Sequence, residues 1–281
     1  MAKDFILEDE LIQKIADVHK DSLLKKIEEC LRELGTYLVQ IYRIENSKPL
    51  QVGSGFYLRY LSRIFFISAA HVFDDEPSNQ RFIFDDAGDF VPITGKVHKH
   101  IAEGDRDDDL KDVIAIEVSS ATRSNILDSS MLCLHSDFQS GLYAFMGYPG
   151  TKNKVNPAKQ VFKNRPYSYY DFSLRSSEIK SFAYDDSLNI LIRYQHKKTM
   201  TLNDGPNKAP RMKGISGGPV FLLLATKKLL EWDRDQVKLV GIVIHSLERE
   251  EYMAAASLKI LTDYLGGDEK LTKEFETFQL V

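Results

Sequence analysis

The chain has 281 residues, 43% of them hydrophobic and 28% charged, with a formal net charge of −4. This is ordinary globular composition, long enough for one large or two small domains that fold without staples. Both signs of charge are interspersed, which argues against a nucleic-acid footprint, and pairs such as Lys25-Lys26 and Lys197-Lys198 read as solvated faces.

The opening stretch, MAKDFILEDELIQK, places acidic residues where a secretory signal needs an unbroken apolar core. No later segment offers 18 apolar residues free of charge, so no membrane span is expected. Cys30 and Cys133 are the only cysteines and lie far apart, as expected of free thiols in a reducing compartment. The expected location is the cytoplasm.

Between residues 8 and 34 the apolar positions Leu11, Ile15, Leu23, Ile27, Leu31 and Leu34 recur at spacings of three and four, with Gly35 placed to cap. The spacing predicts a helix or a broken helix pair, so residues 1–34 form a helical extension. Its stripe either packs on the domain that follows or receives a regulatory protein partner.

After Gly35 the period changes. TYLVQIYRI, GSGFYLRYL and RIFFISAA are short, rich in aromatic and β-branched residues, and separated by polar or glycine-bearing joints. RFIFDD, FVPITGKVH, DVIAIEV, LYAFMGYPG, LNILIRYQ, GGPVFLLLA, VKLVGIVIH and YMAAASL follow in the same style, with no long amphipathic helices between them. The pattern predicts an all-β core of antiparallel barrels or sandwiches. A polar stretch near residues 119–130 divides it into a first β-domain at 35–118, a linker at 119–134 and a second β-domain at 135–265. Residues 151–169, lysine-rich with two prolines, read as a long loop, and GDEKLTKEFETF reads as a short helix within a helical tail at 266–281.

Three segments could carry chemistry. In KGISGGPVF (213–221), glycines around Ser216 would let backbone N–H groups converge where side chains would block them, as an oxyanion hole requires. A serine nucleophile also needs a base, and His71 stands where the apolar strand of RIFFISAAHVFDD turns polar. The orienting carboxylate would come from GDRDDDLKDVIAIEV. Asp105, Asp107, Asp108 and Asp109 sit in a hydrophilic run, whereas Asp112 directly precedes a strand that would draw it against the core. His98 and His100 alternate on a presumed strand without a third ligand at useful spacing, so no metal is expected.

Taken together, GSGF (53–56), SAAHV (68–72), DVIAIEV (112–118), GYPG (147–150), GISGGPVF (214–221) and VGIVIH (240–245) resemble the trypsin-like, chymotrypsin-fold serine peptidases. More closely, the chain is similar to their bacterial intracellular and HtrA-type branch, without room for a C-terminal PDZ domain. The order His, Asp, Ser matches, and the resemblance covers residues 35–261. It implies two six-stranded β-barrels with the site between them. His71 would be general base and acid, Asp112 its orienting partner and Ser216 the nucleophile, with the Gly214 and Ser216 amides as oxyanion hole.

The resemblance also implies a substrate pocket built from Pro210, Arg211, Lys213, Ile244, His245, Ser246 and the strand around Ala254. The absence of an acidic residue near Pro210 argues against a lysine or arginine preference, while Arg211, Lys213 and His245 could together favour an acidic side chain. Ile215 stands where secreted trypsins carry an aspartate, so activation by a new N-terminus is not expected. The expected activity is endopeptidase cleavage of protein or peptide substrates with no cofactor, gated by a partner. A catalytically silent binding module of the same fold is the alternative, and ester hydrolysis by the same triad a third.

Overall fold

The computed structural model describes residues 20–74, 80–102, 104, 109–133, 141–150, 166–174, 178–179, 182, 184–194, 200–201, 205–206, 212–225, 234–247 and 251–280. Helix α1, Lys20–Leu34, buries Ile27, Leu31 and Leu34 of the predicted stripe, with Cys30 beside them. These four residues pack into the same core as the strands that follow. Gly35 opens a short 3-10 turn rather than capping the helix. The expected helical positions before residue 20 lie outside the described residues.

The strands run in chain order as β1 Leu38–Glu45, β2 Lys48–Tyr60, β3 Arg63–Ser68, β4 Phe82–Phe84, β5 Phe90–Pro92 and β6 Gly95–His100. They continue with β7 Ile114–Val118, β8 Leu127–Asp128, β9 Gly141–Gly147, β10 Tyr167–Phe172, β11 Asn189–Arg193, β12 Met200–Thr201 and β13 Gly205–Pro206. Then come β14 Pro219–Ala225, β15 Lys238–Leu247, β16 Tyr252–Ser257, helix α2 Leu258–Leu265 and β17 Phe275–Leu280. One curled sheet takes the order β17-β6-β7-β3-β2-β1-β4-β5, with β8 joined in parallel to β2; the other is β10-β9-β14-β15-β16-β11. Among the described residues, strands β12 and β13 pair only with each other.

The two-barrel, antiparallel architecture is therefore the one expected, with three corrections. The first sheet has nine strands among the described residues, not six: β1, β2, β3, β6 and β7 are joined by the Phe-rich hairpin β4–β5, the short β8 and the terminal β17. The linker is shorter than expected: residues 127–128 still belong to the first sheet, and by Cys133 the backbone donates to Leu239 of the second at 3.0 Å. Finally, the tail is a strand rather than a helix. Phe275 and Leu280 are buried against the first sheet, Phe275 stacks on Tyr264 of α2 at 4.1 Å, and the unpaired edge of β6 takes six residues in register. An open sheet edge outbids the weak helical preference of a lysine- and glutamate-rich tail. For the same reason Tyr167–Tyr169, read with the preceding loop, are β10, paired along β9.

Beside β17, four consecutive residues of β6, Val97 to His100, are buried. His98 meets the Tyr264 hydroxyl at 3.1 Å, and His100 pairs with Asp109 at 2.9 Å. Burial pushes the His98 imidazole below its ordinary pKa, and nearby Lys96 adds to this. These histidines are structural, and among the described residues no cluster of His, Cys, Asp or Glu could hold a metal ion.

Candidate active site

Strands β3 and β7 are antiparallel neighbours with Ser68 opposite Ile114, so the chain leaving β3 and the chain entering β7 meet at one end of the first sheet. His71 lies just beyond the first end, in the 3-10 turn Ala70–Phe73, and Asp112 just before the second. The wholly buried Ala69 and Ala70 let the turn seat against the core. Asp112 Oδ1 accepts the His71 backbone N–H at 2.9 Å, and Oδ2 pairs with His71 Nδ1. The Asp112 carbonyl also accepts from the Ala70 N–H at 3.4 Å.

The Asp112 side chain is 2% exposed and that of His71 32%. A carboxylate taken out of water needs such donors, and its bond to Nδ1–H leaves Nε2 as the ring's acceptor nitrogen. The far end of the turn is clamped as well. Arg81 Nε donates to the Val72 carbonyl at 2.6 Å, and the buried Lys99 ammonium pairs with Asp74. Asp109 is committed to His100, which separates it from Asp112; Asp105, Asp107 and Asp108 lie outside the described residues.

The serine segment crosses from the second sheet. Within residues 214–218, Ile215 N–H donates to the Met212 carbonyl at 3.0 Å, Gly217 to Val243 at 2.7 Å, and Gly218 to Ile215 at 3.0 Å. Gly214 and Ser216, the two amides expected to form an oxyanion hole, donate to no carbonyl among the described residues. Their peptide planes are nonetheless fixed. The Lys213 carbonyl accepts from Gly150 at 2.9 Å and the Ile215 carbonyl from Gly218, and a trans peptide points its N–H opposite to its carbonyl. Gly214 reaches this arrangement with φ +93°, open to glycine and strained for other residues.

Ser216 is half-buried beside the first sheet. A Cβ on the next residue, Gly217, would stand 2.1 Å from Ser68 Oγ and 2.8 Å from Ala69 N, so the serine loop lies directly on the segment that leads into His71. The Ser216 hydroxyl itself makes no hydrogen bond among the described residues. Gly217 has φ +83° as well as this crowding. Gly217→Ala is expected to destabilise the fold by about 3 kcal/mol or more, read as a fall in the urea midpoint at unchanged slope.

Of the expected pocket residues, Pro210 and Arg211 lie outside the described residues. Lys213 is exposed, Ile244 and Ala254 are wholly buried, and His245 is half-buried opposite Ala254 in the β15–β16 register. His245 Nε2 is hydrogen-bonded to the Tyr184 hydroxyl, a partner with no signal in the sequence. Ser246 Oγ is buried without a hydrogen-bond partner among the described residues. The structure thus brings His245, Ser246 and Ala254 onto adjoining strands, while Lys213 contributes its backbone to the loop and its side chain to solvent.

No family model matches the sequence, and no curated protein matches it. Solved structures do. The chain superposes on neuropsin, a serine protease expressed in the limbic system of mouse brain, with TM-score 0.51 and 13% identity over 83% of this chain and 93% of that one. GrC gives TM-score 0.52 at 14% identity over 84% and 94% of the two chains. The VesB protease of Vibrio cholerae gives TM-score 0.52 at 16% identity, covering 82% of this chain but only 63% of its own. At these identities the likeness is one of backbone architecture, and that architecture is the trypsin/chymotrypsin fold of the serine proteases.

Proposed function

We propose that the chain is a serine endopeptidase whose nucleophile is Ser216, whose general base is His71 and whose orienting carboxylate is Asp112. The observation that carries this reading is the doubly held Asp112: one buried carboxylate accepts both the backbone N–H and the ring Nδ1–H of the same histidine. A purely structural ion pair has no need to fix both the position and the tautomer of a ring.

In the proposed reaction His71 Nε2 takes the Ser216 hydroxyl proton as Oγ attacks the scissile carbonyl. The negative oxygen that forms is received by the Gly214 and Ser216 amides. Protonated His71 then gives its proton to the leaving amine, and the same base activates water to release the acyl group. This chemistry balances with water as the only co-reactant. Within the fold we place the chain nearest the bacterial intracellular, HtrA-type branch, on the GSGF, SAAHV and GISGGPVF motifs. Free Cys30 and Cys133 fit a reducing compartment such as the cytoplasm.

A fluorophosphonate probe tests the reading. Intact mass should show one adduct, mapped by digestion to the peptide carrying Ser216 and missing from Ser216→Ala. A folded protein that takes no adduct, and that cleaves neither a peptide panel nor a simple ester, would return the chain to the binding-module alternative.

A further inference from the structure

Ser54 belongs to β2 of the first sheet and is wholly buried, yet its hydrogen bonds run into the second sheet. Its N–H donates to the Ser216 carbonyl at 2.8 Å. Its hydroxyl donates to the Gly214 carbonyl at 2.8 Å and accepts the Tyr148 N–H at 2.9 Å. A single residue of the first barrel therefore holds the backbone on both sides of Ile215, its N–H on Ser216 and its hydroxyl on Gly214 and on Tyr148 just past β9.

Gln51, on the same strand, reinforces the tie. Its Nε2 donates to the Tyr148 carbonyl and lies 3.4 Å from the Gly214 carbonyl. Its direction is set from behind: the Tyr42 hydroxyl donates to Gln40 Oε1 at 2.7 Å, and Gln40 Nε2 to Gln51 Oε1 at 3.5 Å. Flipping either amide would set donor against donor or acceptor against acceptor, so the relay keeps the Gln51 N–H groups aimed at the loop.

These contacts act on the part of the loop most able to change. A glycine at φ +93° has little intrinsic barrier to turning its peptide, and a turned Lys213–Gly214 peptide would withdraw the amide wanted for an oxyanion. We propose that Ser54 and Gln51 are positioning residues that hold the 213–216 backbone in its catalytically competent form, so that the docking of the first barrel on the second sets the oxyanion hole. The proposal rests on the reading of Ser216 as nucleophile. It also accounts for the serine within GSGF: a residue flanked by glycines on a core strand, with a hydroxyl wanted at a barrel seam.

The test uses the full chain with Ser54→Ala, Gln51→Ala and the double variant, each checked by thermal melt. Ser54→Ala removes one oxygen and retains the main-chain bond to Ser216. The expected result is a fall in kcat of about 10²-fold with KM unchanged within about twofold, the signature of an interaction felt only in the transition state. Crystal structures of the parent and Ser54→Ala should show the Lys213–Gly214 peptide turned in the variant and its bond to Gly150 lost. A variant that keeps both the loop and the parent kcat overturns the proposal. If the parent itself neither labels nor cleaves, the serine-peptidase reading fails separately, and the two structures still decide whether Ser54 holds the loop.

Discussion

Ser216→Ala is expected to lower kcat for peptide hydrolysis by about 10⁶-fold while leaving the melting temperature nearly unchanged. The size follows from what the variant keeps. Removing Oγ deletes the covalent route, but the loop amides and the binding cleft remain, and these alone still give about 10³-fold acceleration over water. Adding His71→Ala to Ser216→Ala should therefore lower the rate little further, since a base without a nucleophile has no proton to take. The measurement is kcat on an internally quenched peptide, normalised to the sites titrated by fluorophosphonate in the parent. Activity that survives Ser216→Ala in the same preparation at the parent's rate would show that another nucleophile, or another protein, does the cutting.

Asp112→Asn should lower kcat by about 10⁴-fold in a protein that still folds. Asparagine is nearly isosteric, and its Oδ1 can go on accepting the His71 backbone N–H held at 2.9 Å in the parent. Its Nδ2, however, replaces Oδ2 opposite the ring, and an N–H donor there favours the tautomer with a bare Nδ1 and a protonated Nε2. A protonated Nε2 cannot accept the Ser216 proton. The second readout is ¹⁵N NMR of His71, which should report Nδ1–H in the parent and Nε2–H in the variant. A parent-like tautomer with parent-like kcat would mean that Asp112 serves the fold and not the base.

The two predictions draw on residues with different visibility in the sequence. Ser216 and His71 stand out because the chemistry proposed for them demands unusual local company: glycines where amides must be bare, alanines where a turn must seat on a core. Asp112 is legible for a related reason, as the one aspartate in its acidic run directly abutting an apolar strand. The N-terminal stripe and eleven of the strand segments follow from periodicity of the same local kind. Strands β10 and β17 do not, because what makes them strands is an edge supplied by distant chain: β9 for the first and β6 for the second. Tyr184, bonded to His245, and Gln51, bonded at the seam, were likewise beyond reach, since each finds its partner across a separation of more than sixty residues or across the barrel interface.

What the sequence by itself determined is the set of groups and the order in which they occur: a base, a carboxylate and a serine among glycines, carried on short alternating strands. Local propensity and burial pattern are properties of neighbouring residues, and neighbours can be read in a string. Only the tertiary structure decided which aspartate reaches the imidazole, because β3 and β7 had to be adjacent before Asp112 could meet both the backbone N–H and Nδ1 of His71. It also decided that Ser54 and Gln51 hold the serine loop from the opposite barrel. Hydrogen bonds reach about 3 Å whatever the separation along the chain, so that meeting is fixed by packing and by no local pattern.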